Sequence, residues 1–283
     1  MLSSIKKDKK VALVSLIFLA FFGWFLYIHL TNQTNDNHYL DWFAGTYGVT
    51  AIIGGVYGLF VAKHWGGYKS VIGKAVIFFS LGLLMQEFGQ LVYAYYAIVK
   101  EVTIPYPSVG DLGYFGSVIL YILAAWQLAR ASGIKFSLKD KKKKLVATIL
   151  PLALLFGCYM YFLRGYEFDT SHPLTIILDF GYPLGQALYI VIALMTYLFS
   201  KKLLGGVMKS KVLLILVALV AQYAADFNFL FQANRETWTT AGYGDFLYML
   251  SYTVMALALI NMSTSLLVGQ TSTEQEPVVG NEA

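Results

Sequence analysis

The sequence holds a single cysteine, Cys158, set inside an apolar run. That excludes a disulfide framework and a cysteine-based metal site, and the thiol reads as a small buried apolar group. Charge is also scarce: charged residues make up 13% of the 283, against about 25% in an ordinary soluble domain. The four histidines, His29, His38, His64 and His172, are scattered and share no ligand spacing. There is no His-Glu-x-x-His, P-loop or Gly-x-Ser-x-Gly pattern, so the familiar signatures of metalloproteases, phosphate cradles and hydrolase nucleophiles are missing. No lysine lies deep in a late apolar run, which leaves a retinal Schiff base without an attachment point. No cofactor is expected.

What the chain has in abundance is apolar residues, 58% of the total, gathered in runs of about 20, the length that crosses about 30 Å of hydrocarbon as a helix. Eight spans are expected, over 11–30, 43–62, 75–99, 114–128, 145–163, 174–200, 212–232 and 246–268. The fourth is short but can be extended to Asp111 and Arg130. Helices are expected rather than a barrel, whose strands show about ten residues of alternating polarity. The first run is longer than the apolar region of a signal peptide, about 7–15 residues, and is read as a retained helix.

The cations are unevenly distributed. One set of loops, with the N-terminal segment, holds 18 of the 21 Lys and Arg; the other set holds Lys100, Arg164 and Arg235. Basic loops face the cytoplasm, so both termini are placed inside. The expected fold is an all-α transmembrane bundle of eight helices in a cell membrane, bacterial or archaeal. Residues 1–268 form the polytopic domain and 269–283 a polar, acidic, disordered cytoplasmic tail. The net charge of +5 is a topology signal and implies no nucleic acid. The basic stretch 134–144 could also attract anionic lipid headgroups.

Four hairpins result, each turning on the outer face. Asp41, Asp111, Asp179 and Asp245 stand at the outer starts of the even-numbered helices, spaced by 70, 68 and 66 residues, which points to a repeated hairpin. Asp111-Leu112-Gly113-Tyr114 recurs as Asp179-Phe180-Gly181-Tyr182 and Asp245-Phe246-Leu247-Tyr248. Helical spacing continues each stripe: Asp111, Tyr114, Val118, Tyr121; Asp179, Tyr182, Gln186, Tyr189; Asp245, Tyr248, Tyr252, Met255. One reading is an aromatic-lined polar cavity opening outward. The other is helix capping by aspartate and interfacial placement of tyrosine. Capping explains Asp111 and Asp245 more easily than Asp179, which lies more than a turn inside a helix that starts near Pro173.

The odd-numbered helices carry Gln86, Glu87 and Gln90 as one polar arc, and Gln222 with Asp226 as another. Aligning Gln86 with Gln222 sets Gln90 opposite Asp226 and Tyr93 opposite Phe229. A carboxylate at mid-bilayer costs about 2.5–3.5 kcal/mol on insertion scales, so Glu87 and Asp226 are site candidates, with interhelical hydrogen bonding as the structural alternative. The candidate ligand-binding set is Glu87, Gln90, Asp111, Asp179, Tyr182, Gln186, Asp226, Asp245 and Tyr248; the deeper acids Glu87, Asp179 and Asp226 are the strongest members. Lys100, Arg164 and Arg235 are expected to close the hairpins as salt bridges or to form a charge-balanced rim. Gly54/Gly58, Gly181/Gly185 and Ala221/Ala225 have the small-residue spacing of close helix packing. Pro183 removes a backbone donor and is expected to kink its helix.

The stretch Pro107-Ser108-x-Gly110-Asp111-x-x-Tyr114, with the later Ala225-Asp226 pair and the Gly242-x-x-Asp245 turn, resembles a class of bacterial membrane regions that precede diguanylate cyclase or kinase domains. The resemblance covers the third to eighth helices and implies a sensory membrane module; here the chain ends in a tail rather than an output domain. The leading expectation is a sensory or ligand-binding protein that acts through a cytoplasmic or membrane signalling partner. A proton-coupled secondary transporter is the alternative, since buried carboxylates and internal repeats are common in transporters. A membrane-embedded lipid enzyme is a third, for which no catalytic set is evident.

Overall fold

In a membrane, a backbone segment must satisfy its own hydrogen bonds, and helices do so within one segment. The computed structural model describes residues 9–31, 37–133, 141–200 and 206–263. Among these residues the regular elements are all helical, with no strand. The principal ones are α1 (Lys9–Leu30), α2 (Asn37–Thr46), α3 (Val49–His64), α4 (Val71–Ala94), α5 (Gly110–Ala131), α6 (Lys141–Cys158), α7 (Pro173–Ser200), α8 (Gly206–Asn234) and α9 (Tyr243–Asn261). A π-helical turn extends α4 over Tyr95–Val99 and another extends α6 over Tyr159–Leu163. Eight helical stretches among the described residues are long and apolar enough to cross a membrane, as expected of a multi-pass membrane protein. The expected residues 264–268 of the last span, the tail 269–283, the basic stretch 134–140 and the N-terminal residues 1–8 lie outside the described residues.

The fourth span meets its longer expected form, and the expected ends of the last helix are corrected. The fourth span runs over its longer alternative, Gly110–Ala131, because its start is held in place. The Asp111 carboxylate accepts the Ser108 N–H at 2.7 Å, and the Ser108 hydroxyl accepts the Gly110 N–H at 3.1 Å; both satisfy donors near a helix start that have no intrahelical partner. The last helix starts at Tyr243 and ends at Asn261, earlier than expected. Its start is set by Asp245, which accepts the Ala241 N–H at 2.6 Å. Its end is set by side chains that take the free carbonyls. Trp65 Nε1 donates to the Met262 carbonyl at 2.7 Å, while Lys211 Nζ donates to those of Asn261 and Ser263. Lys211, grouped with the loop cations above, is therefore a buried residue of α8 that caps α9. A cation suits the C-terminal, negative end of a helix.

Six helices close a ring: α3 packs on α4, α4 on α5, α5 on α7, α7 on α8, α8 on α9, and α9 back on α3. Outside it, α1 lies against α9 and α3, and α6 lies against α7. Burial follows this arrangement: in the apolar window of Tyr243–Asn261, 61% of residues are buried, against 6% for Leu145–Leu163. The outer helix instead exposes Ile149, Leu152 and Phe156, as lipid contact requires. Small residues set the tightest crossings. A Cβ on Gly113 would lie 2.5 Å from both the Gly89 nitrogen and the Met85 carbonyl oxygen, so α4 and α5 meet backbone to backbone. Gly54 approaches Ala256 of α9 in the same way. Pro183 lies within α7, which continues helically through it. Cys158 is buried and its thiol donates to the Pro183 carbonyl at 3.4 Å.

Gly113→Ala should therefore overpack the α4–α5 crossing and destabilise the protein by about 1–3 kcal/mol. Gly157→Ala, where an added Cβ meets nothing within 4 Å, should be neutral or slightly stabilising, since alanine is the better helix former. Thermal denaturation of the purified variants in detergent measures both.

Candidate functional site

At one end of the ring the helices part around a cavity of about 590 Å³. Its polar groups come from the second half of α4 (Gln86, Gln90, Tyr93), from the starts of α5 (Asp111, Tyr114), α7 (Asp179, Tyr182, Gln186) and α9 (Asp245, Tyr248), and from Asp226 of α8. The connecting segments add Tyr106, Tyr166 and Trp238, which places the cavity at the end of the bundle where those segments run. A smaller recess of about 270 Å³ adjoins it at Tyr106 and Tyr166.

Each of the four cavity aspartates accepts a tyrosine hydroxyl. Tyr182 donates to Asp111 at 2.7 Å, and Tyr106 and Tyr166 donate to the two oxygens of Asp179 at 2.6 and 2.7 Å. Tyr189 and Tyr248 donate to Asp226 at 2.7 and 3.1 Å, and Gln222 Nε2 adds a third bond at 3.0 Å. Tyr47 donates to Asp245 at 3.1 Å. Asp226 and Asp245 are buried, whereas Asp111 and Asp179 are half-buried nearer the connecting segments. The links between Asp111 and Asp179 are reciprocal. Tyr106, which precedes α5, holds the aspartate of α7, and Tyr182 of α7 holds the aspartate of α5.

A break in the second span lies beside the cavity. The span Tyr39–His64 is interrupted at Tyr47–Gly48, between α2 and α3. Gln90 Nε2 donates to the Ala44 carbonyl at this break, and Gln90 Oε1 accepts the Tyr114 hydroxyl at 3.1 Å. Tyr47, at the interruption, donates its phenol to Asp245. Irregular backbone at membrane depth is tolerated where it is buried in protein or lines a cavity.

Of the nine candidates, Gln90, Asp111, Asp179, Tyr182, Gln186, Asp226, Asp245 and Tyr248 line this one cavity. Glu87 does not. It is one residue from Gln86, so its side chain points about 100° away around the helix. It is buried against Gly48, where a Cβ would fall 1.6 Å from Glu87 Oε2, and that oxygen has no hydrogen-bond partner among the described residues. Gln86, Glu87 and Gln90 thus do not act as one arc. The expected pairing of the outer cations with the aspartates is also not found. Among the described residues, none of Lys100, Arg164 and Arg235 forms an ion pair with these carboxylates or lines the cavity. Lys100 lies over the Tyr95 ring and Arg235 over the Phe231 ring, the latter at 3.6 Å. Phenols on neighbouring elements reach the carboxylates first.

Sequence reasoning missed Tyr47, Tyr106, Tyr166 and Trp238. A Tyr-Gly pair inside an apolar run was the available signal for the helix break, and Tyr106 stands five residues before Asp111. Tyr166 and Trp238 carry no pattern that marks them. Trp238 fits only because Gly244 leaves room, since a Cβ there would meet the indole at 1.9 Å. Beside the cavity, Asp169, Ser171 and His172 lie within hydrogen-bond reach of one another, but Ser171 and Asp169 both approach His172 Nδ1, at 3.0 and 2.8 Å. A triad needs them on opposite ring nitrogens, so this is a loop turn. No group of three His, Cys, Asp or Glu among the described residues could hold a metal ion.

Two outcomes follow. Tyr189→Phe, which removes a buried donor to Asp226, should destabilise the protein by about 1.5–3 kcal/mol in a denaturation assay. In the exposed loop, the bonds from Ser171 and then His172 hold the Asp169 carboxyl down to about 2, against about 3.9 in an unfolded chain. The turn is favoured fully above about pH 3.9 and loses that contribution as pH falls through about 2. A carboxyl NMR titration should show this, and Ser171→Ala should move the midpoint upward.

No family model, curated protein or solved structure matches this chain significantly.

Proposed function

We propose that the protein is a membrane-embedded ligand-binding module of sensory type, which passes a signal to a membrane or cytoplasmic partner. The observation that carries this reading is the cavity on which side chains from α4, α5, α7, α8 and α9, from the α2–α3 break and from three connecting segments converge. A volume of about 590 Å³ lies within the roughly 300–1,000 Å³ of small-molecule sites. A ligand seated there touches elements far apart in the chain, so its binding energy can bias their packing. The resemblance of the Pro107 to Tyr114 stretch to regions that precede cyclase and kinase domains supports a signalling role. Among the described residues that line the cavity there is no histidine or cysteine, so no Ser-His or Cys-His pair is available there, which disfavours the lipid-enzyme reading.

In the same proposal the bundle is four related hairpins with both ends on the cytoplasmic side of a cell membrane. Among the described residues, Lys63, Lys69, Lys74 and Arg130 stand at the helix ends opposite those that line the cavity, so the positive-inside tendency would turn the cavity outward. Transport remains the second reading, favoured by the interrupted helix at Tyr47–Gly48 beside the unpartnered Glu87, since broken helices and intramembrane acids mark transporter sites.

The orientation is tested in a Cys158→Ser background. Ser171→Cys should react with an impermeant maleimide on intact cells, whereas Tyr68→Cys should react only after permeabilisation; the reverse pattern would place the cavity inside. For function, a broad small-molecule screen should find compounds that raise the melting temperature, and Asp179→Asn should diminish that rise. A screen without any stabiliser removes the basis of the proposal. Uptake into proteoliposomes driven by a proton gradient, and lost in Glu87→Gln, would decide for transport.

A further inference from the structure

We infer that the cavity takes an organic cation, an amine or quaternary ammonium carried on an apolar body. This rests on the ligand-binding reading above and adds the chemical class of the ligand. The first argument is charge. Asp111, Asp179, Asp226 and Asp245 line the cavity, and among the described residues no lysine, arginine or histidine does. The cations that follow α4 and α8, Lys100 and Arg235, turn instead to the Tyr95 and Phe231 rings. Phenols and amides give these carboxylates hydrogen bonds but no countercharge. A cleft lined by one sign of charge within low-dielectric walls concentrates ions of the opposite sign.

The second argument is the walls. The cavity is ringed by tyrosines, among them Tyr93, Tyr114 and Tyr248, with Trp238 and Phe229. Aromatic faces attract ammonium groups, and cages of such rings are the usual receptor for quaternary ammonium. Ile104, Val118 and Leu230 leave apolar surface for the rest of the ligand.

The third argument is size and spacing. No three acidic, histidine or cysteine groups among the described residues converge tightly enough for a metal ion, and the volume is about twenty times that of one water at roughly 30 Å³. The charge is spread around a space that suits a bulky cation. An anion or zwitterion would need a positive partner, and the three outer cations that could have formed a rim do not line the site. A carboxylate has about four acceptor positions. Asp179 uses one on each oxygen for Tyr106 and Tyr166, which leaves room to accept an ammonium N–H or to face a quaternary centre.

The test uses the purified full chain in nanodiscs with four probes: benzyltrimethylammonium, choline, choline's uncharged isostere dimethylbutanol, and benzenesulfonate. Calorimetry should show saturable binding of at least one ammonium probe, at least tenfold weaker binding of dimethylbutanol than of choline, and none of benzenesulfonate. Asp111→Asn and Asp179→Asn, at the half-buried positions, should each weaken ammonium binding at least tenfold, while Asp169→Asn, outside the cavity, should not. If an aspartate variant does not fold, the comparison of choline with its isostere on the wild type decides alone. Preference for the uncharged or anionic probe overturns the cation assignment and leaves the ligand-binding reading standing. Ammonium binding that is equal in folded aspartate variants overturns the assignment to this cavity. If none of the four probes binds, the cation assignment fails; the ligand-binding reading fails only if the broad screen also yields no stabiliser.

Discussion

A carboxylate in an apolar interior must be hydrogen-bonded, because the bare charge is far too costly there. In this protein the requirement is met by tyrosine. Each cavity aspartate takes a phenol, and several of the phenols come from distant parts of the chain: Tyr47 from 198 residues before Asp245, Tyr106 from 73 before Asp179, Tyr182 from 71 after Asp111. These bonds tie the walls of the cavity together. Lipid tails are as apolar as leucine, so hydrophobic burial does not select which transmembrane helices meet. Directional bonds and close packing of small residues are left to do so, and both occur at the same crossings. The Gly113–Gly89 contact brings α5 against α4, and Tyr114 donates to Gln90 across that interface.

The choice of phenol over guanidinium has a chemical consequence. An arginine would neutralise the aspartate it binds, whereas a tyrosine orients the carboxylate and leaves its charge in place. Arg235 and Lys100 instead lie over aromatic rings, where a cation is held without using an acid. The cavity therefore holds four carboxyl groups, each with a phenol partner, and no basic residue among its described lining. Away from the cavity lining, Trp24 Nε1, Glu87 Oε2 and the Tyr121 hydroxyl are buried without a partner among the described residues. Of these, Glu87 lies at the break in the second span. That interruption is satisfied locally by Gln90, so one glutamine side chain both repairs a backbone and faces the cavity.

Much of the fold was legible in the sequence. The apolar runs are a one-dimensional signal, and the spans occur close to where hydropathy places them. The main error, at the last helix, arose because its ends are set by Asp245, Trp65 and Lys211, contacts that a hydropathy window does not contain. Part of the site was legible too. Asp111, Tyr114 and Val118 share a helical face by spacing alone, as do Asp179, Tyr182 and Gln186, and each set lines the cavity. The spacing argument failed for Glu87, whose neighbour Gln86 lies on a different side of the helix.

The sequence by itself determined that this is an all-helical chain with eight apolar stretches, and that acids and tyrosines recur near the starts of alternate helices. Those properties depend on residue type and on the 3.6-residue period, both of which are local. Only the tertiary structure decided which phenol meets which acid, that Lys100, Arg164 and Arg235 stay out of the cavity, that Glu87 faces Gly48, and that the second span breaks at Tyr47. Each of these depends on which helices are neighbours. In an apolar bundle that is settled by steric fit and a few directional bonds between residues far apart in the chain, and no local pattern records it.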